Sequence, residues 1–191
     1  MPFSKFIVFP IFVALQAAIM MLIAPFFKVG PETIGGVLLT WVAFQAWAMY
    51  FLGGCTIKAA GKTVVGYAGG IIASVAIFEL MGVFGKMGVW GGALAVFIVV
   101  IPVMCAERVA ILNFIPAWFL GAGVFFALAA MHGPSTIGGY IEIAVPEMIA
   151  CVVGLVFGYC TVTFRTWYEK MVMPSVKEAG EETVEKVEQS A

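Results

Sequence analysis

Long apolar runs separated by short polar breaks dominate the chain. Residues 6–27, 34–54, 63–84, 88–105, 109–131 and 140–164 are almost continuously apolar, and brief connections hold most of the charge and much of the Pro and Gly. A hydrocarbon core about 30 Å thick takes about 20 apolar residues as a helix. Backbone groups at that depth must be satisfied within the segment itself. The pattern therefore predicts an all-α polytopic membrane protein of six transmembrane helices. Lys5, Lys58, Lys62, Arg108, Arg165 and Lys170 fall on one side of such a bundle, with Lys28 and Lys86 on the other. The basic excess marks the cytoplasmic face. Both termini are then cytoplasmic, as an even number of spans allows. The run after Lys5 is too long for the apolar core of a signal peptide and is followed by further spans, so it reads as the first retained helix.

The connections echo one another. Residues 30–36 read Gly-Pro-Glu-Thr-Ile-Gly-Gly and residues 133–139 read Gly-Pro-Ser-Thr-Ile-Gly-Gly. Each copy opens a span that ends in Gly-x-Cys-Thr, at Gly53–Thr56 and Gly158–Thr161. A weaker third copy starts at Gly88-Val89-Trp90-Gly91-Gly92 and ends at Cys105. The echo predicts repeated two-helix hairpins, two clear and a third weaker, all pointing the same way. Thr33 and Thr136 are placed to cap the second helix of each hairpin. The pairs Gly35-Gly36 and Gly138-Gly139 are expected to let helices approach closely. Helix N-termini converging on one face would also favour a polar or anionic solute.

Composition agrees with the pattern. Charged residues make up 11% of the chain and mean hydropathy is +1.08, against about 25% charge in soluble domains. There is no Asp and one His, and Cys55, Cys105, Cys151 and Cys160 show no CxxC spacing. Neither a metal site nor a disulfide framework is expected. No cofactor is expected, and nothing suggests a nucleic-acid partner. No nucleophile–base pair or phosphate loop is visible, so an enzyme is not expected. The boundary falls at 173/174: a transmembrane domain over 1–173, then an acidic tail over 174–191 with five Glu against two Lys. The tail reads as solvated, or as a contact for a cytoplasmic partner.

Ionisable groups at membrane depth are candidates for function because each is costly there. Glu147, Glu79 and Glu142 are the three, and Glu147 directly follows Pro146, whose ring frees a carbonyl in the preceding turn. Gln45 in the second span and the deep Trp41 are further candidates for lining a pathway, with Thr33 and Thr136 at its mouth. Gln16 and Gln45 also suit hydrogen bonding between helices. His132 stands at an outer turn.

Asn113-Phe114-Ile115-Pro116-Ala117-Trp118-Phe119-Leu120-Gly121-Ala122 resembles a signature of the YcdZ-like bacterial inner-membrane proteins. So do Pro146 with Gly154 to Tyr159, and Trp41-Val42-Ala43-Phe44. The resemblance implies a six-span fold of unknown function and brings no site residues with it. The acidic tail and a longer amino-terminal loop depart from it.

Three functions fit these readings. The first is transport or channel activity for a small polar or weakly anionic solute, with a homo-oligomer completing so small a bundle. The second is a substrate-binding membrane subunit of an energy-coupling-factor importer, with Ala14 and Ala18 meeting its partner. The third is a non-transporting accessory subunit.

Overall fold

The computed structural model describes residues 3–30, 35–134 and 136–172, and their side chains except at 35, 37 and 38. Among these residues there is no strand. Thr33 and the tail over 174–191 lie outside them. Helices α1 (Phe3–Phe6) and α2 (Val8–Ile23), with a tight turn Ala24–Phe26, form the first span. The others follow as α3 (Gly35–Leu52), α4 (Ile57–Val83), α5 (Val89–Cys105), α6 (Ile115–His132) and α7 (Ile137–Val172). Five spans are long and apolar enough to cross a bilayer, and α3 contributes the shorter apolar helix Leu39–Leu52. This is a multi-pass membrane protein.

Local chemistry sets the helix ends. After α3, Gly54 (φ +88°) and Cys55 (φ +60°) both take the left-handed region, and the Tyr50 hydroxyl donates to the Cys55 carbonyl at 3.1 Å. Thr56 then caps α4 by accepting the Ala59 N–H at 3.1 Å. Helix α4 therefore begins at 57 rather than the expected 63, with Lys58 and Lys62 on its first turns. Helix α6 begins at 115 rather than 109. Pro116 suits a first turn, and Trp118 Nε1 holds the preceding loop by donating to the Leu112 carbonyl at 3.0 Å. Helix α7 continues to 172, past the expected 164. An Arg165–Glu169 pair one turn apart at 2.8 Å and a bond from the Tyr168 hydroxyl to the Lys5 carbonyl at 2.7 Å support that extension.

Two glycine seams organise the bundle. Helix α3 lies along α7, where Gly154 backs onto Ala43 and Gly158 onto Tyr50. Helix α4 lies along α6, where Gly66 backs onto Ala117, Gly70 onto the backbone of Trp118–Ala122, and Gly121 onto Tyr67. Residue numbers rise together across both seams, so each pair is parallel. Without a hydrophobic drive inside lipid, backbone contact of this kind is what holds helices together. Helix α5 packs on α4 through Ile77, Ala95 and Val99. Helix α2 is tied to α7 by Gln16, which donates to the Phe157 carbonyl at 3.2 Å and accepts from the Thr161 hydroxyl at 2.8 Å.

These contacts have an exchange pattern. Swapping spans one to three for spans four to six turns α3–α7 into α6–α4, α2–α7 into α5–α4, and α3–α4 into α6–α7, and every one of these pairs is in contact. Each half has three crossings, so the halves traverse the membrane in opposite senses. Successive spans are joined by short turns as hairpins, yet the tightest seams join the second span to the sixth and the third to the fifth.

Candidate functional site

Glu147 lies about 15 Å along α7 from Ile137, half the depth of a bilayer core. It is completely buried, and neither carboxyl oxygen has a hydrogen-bond partner among the described residues. Tyr67 lies about 15 Å along α4 from Ile57, entering from the opposite face. It too is completely buried, with its hydroxyl unpartnered. Cys151, one turn beyond Glu147, is buried in the same cluster as Tyr67. Tyr67 and Cys151 both lie within electrostatic range of the Glu147 carboxyl. The two polar groups come from different seams: Glu147 belongs to the α3–α7 pair and Tyr67 to the α4–α6 pair.

Pro146 shapes the ground beside Glu147. It has no N–H, so the Glu142 carbonyl one turn earlier loses its helical donor. The backbone of Gly30, from the loop after the first span, presses on this break. A Cβ at Gly30 would stand 2.7 Å from Pro146 Cγ and 3.3 Å from the Glu142 carbonyl oxygen, and its φ of +92° suits glycine alone. Val29, Gly30, His132, Ile141, Glu142, Val145 and Pro146 line a cleft of about 470 Å³ here. His132 Nε2 stands 3.3 Å from Glu142 Oε2 at this cleft.

The other expected residues are dispersed. Glu142 is exposed and meets His132. Glu79 is exposed on α4, with the Tyr140 hydroxyl beside it. Gln45 has a buried, unpartnered Oε1. Its place beyond the Ala43–Gly154 contact puts it about 13 Å further along the bundle than Glu147. Trp41 is half-buried and lines a separate, mainly apolar pocket of about 500 Å³ with Met21, Ala24, Pro25, Gly36 and Thr40. Thr136 caps α7, accepting the Gly139 N–H at 3.2 Å. Gly35 opens α3, and Gly36 approaches the Ala24 carbonyl closely. Gly138 and Gly139 lie in the first turn of α7. Among the described residues the atoms nearest to a Cβ at either position belong to Thr136 and Pro134 of their own turn, and the seam on α7 runs through Gly154 and Gly158. Among the described residues no three His, Cys, Asp or Glu side chains gather as metal ligands.

Residues 7–165 match the model of a family described as "Protein of unknown function (DUF1097)". The chain belongs to the DUF1097 family. The match takes in all six spans, Glu147 and both glycine seams, and it ends before the acidic tail. The segments 113–122 and 146–159 that carry the sequence resemblance fall inside it. No curated protein and no solved structure matches the chain.

Tyr67 and the seam glycines escape a reading based on the Gly-Pro echo. Their signal was a different recurrence: Val64-Val65-Gly66 with Gly70, and Val152-Val153-Gly154 with Gly158. It marks the two glycine-seamed helices that bring Tyr67 and Glu147 to the same depth.

Proposed function

We propose that the protein moves a small polar solute across the bacterial inner membrane, with both termini in the cytoplasm and Glu147 at the centre of its path. The observation that carries this reading is a fully buried carboxyl group with two unpartnered oxygens at half-depth, beside a proline break and between two glycine-seamed helix pairs. A buried carboxyl group in lipid costs ~3 kcal/mol or more unless compensated. A purely structural bundle gains nothing from keeping it. Arrangement around a fixed mid-membrane site in two oppositely oriented halves is how many secondary transporters are built. The oxygens of Glu147 and the Tyr67 hydroxyl suit solutes that carry hydrogen-bond donors, and a weakly anionic solute would lean instead on the helix N-termini. Association into a homo-oligomer fits the small bundle.

Stopped-flow light scattering on liposomes holding the purified protein tests the reading, with urea, glycerol, ammonium and glycine as probes. Permeation of at least one probe class well above that of empty liposomes is expected. Rates equal to those of empty liposomes for all four classes would contradict transport and favour an accessory role.

A further inference from the structure

We propose that Glu147 is a proton-exchange site, loaded from the His132 end of the bundle through the cleft bounded by Gly30, Glu142 and Pro146. The coupling of solute movement to protons would rest on the transport reading; the site itself does not.

Glu147 has no exposed surface and sits among Ile143, Ala150, Cys151 and Tyr67, all buried. An organic solute bound at the carboxyl would have to part these side chains, whereas a hydrogen ion adds almost no volume. A divalent metal asks for several protein ligands in a defined shell, and no group of three or more His, Cys, Asp or Glu side chains forms among the described residues. A proton needs one oxygen, and Glu147 offers two that nothing else uses.

The surroundings are also free of competing charge. Helix α4 presents Tyr67, and α7 itself presents Cys151. Among the described residues, α6 contributes no buried polar or charged side chain. Helix α3 adds Tyr50, whose hydroxyl is committed to the Cys55 carbonyl at the far end of the bundle. Tyr140 and Glu79 lie together towards the His132 end. No described Lys or Arg is buried in the cluster to hold Glu147 as a permanent ion pair.

The cleft approaches the site from one side, without Glu147 itself in its lining. The cleft reaches Pro146, the residue preceding Glu147, and carries a His–Glu pair. Chains of Glu and His are how intramembrane protons are relayed. His132 lies at this cleft with Glu142 exposed beside it.

Infrared difference spectroscopy of the bilayer-reconstituted full chain, stepped between acid and alkaline buffer, reads the site without any solute. The wild type should show a protonated-carboxyl C=O band that disappears reversibly in alkali. Glu147→Gln should lack it, Glu147→Asp should keep it at a shifted position, and Glu79→Gln should retain it unchanged. His132→Ala should leave the band but slow its hydrogen–deuterium exchange by about tenfold or more. A folded wild type whose titrating bands all survive Glu147→Gln would overturn the proposal. Unchanged exchange in His132→Ala would overturn the route. A titrating Glu147 band in a protein that passes no solute would instead remove the transport reading and leave the proton site standing.

Discussion

At the scale of residues, three carboxylates that look alike in the sequence separate by environment. Glu147 was legible because it follows a proline inside an apolar run, a local signal that burial then matches. The exposure of Glu142 and Glu79 was not legible, because which face of a helix looks inward depends on its neighbours. Tyr67 was hidden for the same reason: a tyrosine in an apolar helix reads as packing until a second helix brings a carboxyl to its depth. Exposed and buried positions predict different costs. Glu142→Gln and Glu79→Gln should each change stability by no more than ~0.5 kcal/mol, as is usual for surface positions. Thermal unfolding in detergent checks this, and a loss of several kcal/mol in either would contradict the placement.

At the scale of elements, the six apolar runs translate directly into helices, since length and hydropathy decide whether a segment can cross lipid. Helix ends were less legible, because Thr56, Pro116 and the Arg165–Glu169 pair act against or beyond the hydropathy boundary. Glycine roles divide sharply within single helices. On α6, a Cβ at Gly121 would lie 2.6 Å from Tyr67 Cα, while one at Gly123 would meet nothing within 4 Å. Gly121→Ala should therefore destabilise the protein by ~1–3 kcal/mol through overpacking. Gly123→Ala should be neutral or stabilise it by up to ~1 kcal/mol through helix propensity. Unfolding of the two variants in mixed detergent decides between them. Equal effects would contradict the seam.

At the scale of the molecule, the Gly-Pro echo pointed to hairpins in one direction, while the packing exchanges two oppositely oriented halves. Pairing of the second span with the sixth leaves little trace in any one segment, so it could only be seen once the helices were placed together. The excess of basic residues predicts a topology in which Cys55 faces the cytoplasm. A membrane-impermeant thiol reagent should label Cys55 in inverted vesicles and not in intact cells, and labelling in intact cells would reverse the assignment.

Everything functional in this account converges on one carboxyl group between two seams. The most direct test is solute flux in liposomes, wild type against Glu147→Gln, with Glu79→Gln as the exposed control and size-exclusion profiles confirming folding. Flux should fall to the level of empty liposomes in Glu147→Gln alone. Wild-type flux in a folded Glu147→Gln protein would contradict the claim that the path runs through this residue.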